Sequence, residues 1–134
     1  GLVYFTDSTT RFGPADLGGT FEASILDIIE QSATGRVLEH DPVGRKTRVV
    51  ARGLSFANGI ALSEDQQWLI VAETGRYRVW KLATAGADLD LGRGTSAQAR
   101  VLLDNLPGYP DNLMRGQEGR LWMGFTKPRS AVVD

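Results

Sequence analysis

The chain has 134 residues, and its 15 basic and 16 acidic side chains nearly cancel, so it carries no electrostatic footprint for nucleic acid or an anionic membrane. Apolar and charged fractions of 42% and 23% are those of an ordinary soluble globular protein, at this length one domain at most. The lack of cysteine excludes disulfides, thiolate zinc sites and cysteine nucleophiles, and leaves the compartment undecided. No apolar run approaches the roughly 20 residues of a membrane span, and no signal-peptide pattern is read.

Leu2 to Thr6 is short and β-rich, and Asp7-Ser8-Thr9-Thr10 ends it with turn chemistry. A strand this close to the first residue suggests a fragment or a trimmed sequence. Gly13-Pro14 and Gly18-Gly19 then mark irregular backbone. Thr20 is a candidate cap for a helix over residues 21–32, where Ile25, Ile28 and Ile29 stand at helical spacing and Leu26 widens the face. This helix reads as an insertion between strands.

From Gly35 the chain becomes a succession of brief strands: Arg36 to His40, a turn at Asp41-Pro42-Val43-Gly44, then Thr47 to Arg52. The stretch Leu54 to Thr74 follows, in which Ile60 and Leu62 precede the polar turn Ser63-Glu64-Asp65-Gln66 and Trp68, Ile70 and Val71 resume beyond it. Tyr77 to Leu82 is a further strand, the Gly-, Ala-, Asp- and Ser-rich segment Thr84 to Gln98 a loop, and Ala99 to Leu103 a strand again. Asp111 to Gly116 and Arg120 to Phe125 close the series.

The strands repeat. Phe56-Ala57-Asn58-Gly59-Ile60 is answered by Tyr109-Pro110-Asp111-Asn112-Leu113, and Trp68-Leu69-Ile70 by Leu121-Trp122-Met123, at one constant offset. Arg36-Val37-Leu38 matches Arg78-Val79-Trp80, Arg48-Val49-Val50 matches Arg100-Val101-Leu102, and Gly1 to Ser8 matches Gln67 to Thr74. Four-stranded units at this period indicate an all-β fold, a β-propeller portion of about two blades. The expected division is residues 1–53 as three strands of one blade with the helical insertion, 54–106 as a complete blade, and 107–134 as the first two strands of the next. Trp-Asp and kelch signatures are missing.

Tyr4-Phe5-Thr6-Asp7-Ser8, Gly35-Arg36-Val37-Leu38-Glu39-His40-Asp41-Pro42, Phe56-Ala57-Asn58-Gly59-Ile60-Ala61-Leu62-Ser63, Val71-Ala72-Glu73-Thr74, Tyr77-Arg78-Val79-Trp80 and Asp104-Asn105-Leu106-Pro107-Gly108-Tyr109-Pro110-Asp111-Asn112 together resemble the strictosidine synthase-like family, in order and at family spacing. The resemblance implies a six-bladed propeller of which this chain is a middle portion. It also implies kinship with calcium-dependent gluconolactonases and paraoxonase-like lactonases.

In the metal-dependent relatives a divalent cation sits on the propeller axis, held by Asn and acidic side chains at the starts of innermost strands. The resemblance puts Asn58 and Asp111 at two such positions, with Ca2+ as the implied ion, since hard oxygen ligands suit it. The alternative is that Asn58 and Gly59 make a tight turn and Asp111 caps a strand end. The strictosidine synthase branch, similar in fold, needs no metal for its condensation, and the resemblance puts that branch's catalytic glutamate in a late blade, expected beyond Asp134. No catalytic residue is assigned here. Phe56 and Tyr109, just before the axial positions, are candidate substrate-stacking residues, or else packing between blades. His40, the only histidine, falls at an outer strand position, and Glu73 and Asp7 align at strand ends as structural carboxylates that pair with Arg76 or turn amides.

Three readings follow. One is a small-molecule enzyme, a lactonase- or esterase-type hydrolase or strictosidine synthase-like protein with its site on the axis. Another is a non-catalytic propeller scaffold whose loops bind a partner. The third concerns assembly: two blades leave strand edges uncovered, so either the rest of the same chain or further copies in a homo-oligomer, three of them for six blades, must cover them.

Overall fold

The computed structural model describes residues 1–10, 19 and 33–129. The helix expected over residues 21–32 lies outside the described residues. The described residues form ten strands in chain order: β1 (Val3–Asp7), β2 (Gly35–Asp41), β3 (Lys46–Leu54), β4 (Ala57–Leu62), β5 (Trp68–Glu73), β6 (Arg78–Ala83), β7 (Leu89–Asp90), β8 (Ala99–Leu103), β9 (Gly108–Arg115) and β10 (Leu121–Pro128). The first sheet has the order β1-β2-β3-β7, the second β4-β5-β6-β8, and the third is the pair β9-β10. The second sheet is antiparallel throughout and forms a full blade.

Two hairpin connections, β2–β3 and β4–β5, use turn chemistry present in the sequence. Between β2 and β3, Asp41 Oδ1 accepts the Val43 N–H at 3.0 Å. Between β4 and β5, Asp65 Oδ1 accepts the Gln67 amide and the Ser63 hydroxyl, while Ser63 Oγ accepts the Trp68 amide. The hydroxyl and backbone bonds hold the Asp65 carboxyl below its ordinary range, the hydroxyl contributing most.

The segment Thr84 to Gln98, expected as a loop, contains β7 and a single 3-10 turn, Leu91–Arg93. Two residues are too few to show a period, and their partner is distant: β7 pairs parallel with β3, Ala51 opposite Leu89 and Arg52 opposite Asp90. Chain from the second blade thus closes the outer edge of the first. Arg48 of β3 reinforces the junction. It donates to both Glu39 carboxylate oxygens, at 2.9 and 2.8 Å, and to the carbonyls of Thr84, at 2.7 Å, and Gly86. That guanidinium holds the Glu39 carboxyl below its ordinary range.

The core lies between the first two sheets. Val37, Val50, Ala51 and Leu54 of the first meet Ala57, Leu69, Val71, Trp80 and Leu82 of the second, and Leu91 of the 3-10 turn seals the cluster. Trp80 is 1% exposed, as blade packing requires, whereas Trp122 on β10 is 62% exposed. β10 is the edge of a two-stranded sheet, and no described segment covers its face.

Candidate functional site

The site begins where the chain enters β4. Phe56 has φ 58°, a left-handed conformation uncommon for a bulky residue, and it turns the chain from β3 into the next blade. The crossing is fixed by the Thr74 N–H on the Phe56 carbonyl at 3.1 Å and the Gly75 N–H on the Ser55 carbonyl at 2.9 Å. Asn58 and Gly59 then lie within β4 at a register irregularity, not in a tight turn, and Asp111 lies inside β9, not at its end.

Gly59 allows β4 and β9 to approach. A Cβ at this position would collide with the Asp111 carbonyl oxygen and the Leu113 amide nitrogen. The glycine therefore brings Asn58 and Asp111, equivalent positions of neighbouring inner strands, to one place in the fold. Both are half-buried.

Asn58 is held on two sides. Thr6 Oγ1 of β1 donates to its backbone carbonyl at 2.7 Å, and its own Nδ2 donates to Thr74 Oγ1 at 3.4 Å. Thr74 Oγ1 in turn donates to the Pro110 carbonyl at 2.6 Å, directly before Asp111. Among the described residues, the Asn58 Oδ1 and the Asp111 carboxylate accept no hydrogen bond and Asp111 joins no ion pair. Also among them, no group of three or more His, Cys, Asp or Glu is placed to hold a metal ion.

Phe56 and Tyr109 are 8% and 4% exposed. The Tyr109 hydroxyl accepts from that of Tyr77 at 3.1 Å, the two rings lying 5.0 Å apart and tilted by 43°. The Arg129 guanidinium covers the Tyr77 ring at 4.0 Å, and the Lys127 ammonium stands 5.6 Å from that of Tyr109. Both candidate aromatics thus back the inner strands from within the packing. His40, at the end of β2 remote from Gly35 and Ala57, meets Thr47 Oγ1 through Nδ1 at 2.8 Å, across the β2–β3 hairpin. A cleft of about 530 Å³ opens at the turn end of β4 and β9, lined by Glu64, Trp68, Lys81, Arg115 and Arg120, and none of the four candidate residues borders it.

Glu73, at the end of β5, is fully buried beside this region. Its carboxylate accepts from Arg78 Nε at 2.5 Å, Trp80 Nε1 at 2.9 Å and the Ser55 amide at 2.7 Å, with Arg76 at 3.8 Å. Asp7 holds the corresponding place in the first sheet and pairs with Arg36 at 2.6 Å. Both carboxylates are structural, as the alignment suggested, but the main partner of Glu73 is Arg78 and not Arg76. Thr74 is the residue that sequence reasoning passed over. Its signal was the repeat itself, which sets it opposite Ser8, a second hydroxyl at the same strand end.

Two four-stranded sheets, antiparallel except where β7 joins β3, with the pair β9-β10 beginning a third, define part of a β-propeller. The solved structure of a luciferin-regenerating enzyme shares this fold at a TM-score of 0.60 and 21% identity, over 93% of this chain and 36% of the other. The chain belongs to the strictosidine synthase family, whose model matches residues 1–87. It is 33% identical to strictosidine synthase-like protein 10 of Arabidopsis thaliana over 124 residues, and 36% identical to the adipocyte plasma membrane-associated protein of Salmo salar over 127 residues. These alignments cover 92% and 95% of the chain but only 29% and 27% of the relatives, so the chain spans less than a third of their length. Among the described residues no helix is long and apolar enough to cross a membrane.

Proposed function

We propose that the chain is the part of a strictosidine synthase-like propeller that contributes Asn58 and Asp111 to an axial divalent-cation site, in an enzyme that hydrolyses a lactone or ester of a small organic substrate. The supporting observation is the pair of oxygen donors left without partners on β4 and β9, which Gly59 packs together. An amide oxygen and a carboxylate are hard donors that suit Ca2+, and further ligands would come from other blades. The cation would polarise the substrate carbonyl. In this reading Phe56 and Tyr109 form the apolar backing of the site, since so little of either is exposed. Asn58 and Asp111 hold and orient; the group that moves a proton is not assigned to this chain.

The experiment is calcium titration calorimetry on the full-length protein, paired with lactone and aryl-ester hydrolysis before and after chelation. Calcium binding, with hydrolysis lost on chelation and restored by calcium, is the expected result. Neither binding nor hydrolysis would leave the scaffold reading. Exposed Trp122, Met114 and Phe125 on the open third sheet support a further proposal, that more blades, from the same polypeptide or from other copies, pack on this face.

A further inference from the structure

We infer that Thr74 is the positioning residue that decides which atom of Asn58 is presented to the axial site. The inference rests on the cation reading above and extends it to a residue that touches no ligand. A threonine hydroxyl has one proton to give. Here that proton goes to the Pro110 carbonyl at 2.6 Å, so toward Asn58 the same oxygen can only accept. The side-chain atom of Asn58 that meets it must therefore be Nδ2, as found at 3.4 Å. The amide is then fixed with Oδ1 turned away from Thr74 and left free as a donor. Reversed, the amide would set oxygen against oxygen at Thr74 and offer a cation an NH2 group.

The relay has a second effect. It runs from the side chain of one inner strand, through a residue 6% exposed, to the backbone directly before Asp111 on the next. One hydroxyl thus orients the Asn58 amide and ties down the backbone directly before Asp111. Thr6 fixes the backbone of Asn58 from the other side, leaving the orientation of its side chain to Thr74.

The test is a double-mutant cycle read by calcium calorimetry on the full-length protein, with thermal unfolding in chelator on the same preparations. Thr74→Ser keeps the proton and the acceptor and should bind within about threefold of wild type. Thr74→Val keeps the shape and loses both, and should weaken calcium by about 10- to 100-fold, the usual range when a ligand's supporting hydrogen bond is removed. In an Asn58→Asp background both side-chain atoms are oxygens and orientation no longer matters, so Thr74→Val should cost less than about threefold. Thr74→Ala is titrated alongside, so that a valine variant that fails to fold leaves the comparison standing. If wild type binds and the valine and alanine variants bind as well, or lose equally in both backgrounds while melting lower, Thr74 is merely structural and the cation reading stands. If wild type binds no calcium, the cation reading falls and the role of Thr74 falls with it.

Discussion

Arg78 lies directly opposite Glu73 across β5 and β6, and its Nε reaches Oε1 at 2.5 Å where the carboxylate is fully buried. Arg36 and Asp7 repeat the same cross-strand pair one blade earlier, but with side chains about a third exposed. The two pairs share a place in the repeat and differ in solvent.

That difference sets their weights. Glu73→Ala strands a guanidinium, an indole N–H and the Ser55 amide, and should destabilise by about 3–5 kcal/mol in urea titration. Asp7→Ala loses a screened pair worth about 1 kcal/mol or less. Equal costs would show that the burial of Glu73 does not govern its contribution.

Gly59→Ala should cost about 1–3 kcal/mol, because its Cβ meets backbone that cannot rotate aside. It should also weaken calcium binding, by separating Asn58 from Asp111. Gly124→Ala, where an added Cβ meets nothing within 4 Å, is the matched control and should leave both stability and calcium affinity unchanged.

Acid should loosen the junction between the first two sheets. Arg48 lowers the Glu39 carboxyl below the ordinary glutamate value, so the pair stabilises the fold fully above that ordinary value, and the contribution disappears as pH falls through the lower folded one. Chemical denaturation between pH 7 and 3 should therefore show a loss that Glu39→Gln removes. An unchanged slope in that variant would mean that other carboxylates dominate.

The exposed apolar residues of β10 predict association. At rising concentration the isolated chain should scatter light as more than a monomer, and replacing Trp122 and Phe125 with lysine should return it to one. A wild-type monomer at every concentration would sink the proposal for this chain alone.

Much of the fold was legible because blades are local objects. The alternation through Ile60, Leu62, Trp68 and Ile70 and its return at Leu113 and Leu121 require only neighbouring strands, and the sheets follow that order. What crosses between blades was not legible. β7 is two residues long, and its partner Ala51 belongs to the strands of the preceding blade. The sequence Val71-Ala72-Glu73-Thr74 does not reveal that Glu73 will meet the Ser55 amide and Trp80. Asn58 and Asp111 could be placed by the repeat, but the relay through Thr74 depends on a single proton whose destination, Pro110, is known only from the fold.

β7 also bears on how the polypeptide is made. Synthesis delivers β3 well before Leu89 and Asp90, so the rim of the first sheet, with its unpaired amides and carbonyls, stays open until most of the second has emerged. Arg48 waits equally long for the carbonyls of Thr84 and Gly86. The growing chain thus passes through a period in which its first sheet can pair with a stranger, and a ribosome stalled before residue 89 would release a species more prone to aggregate than one stalled just after it.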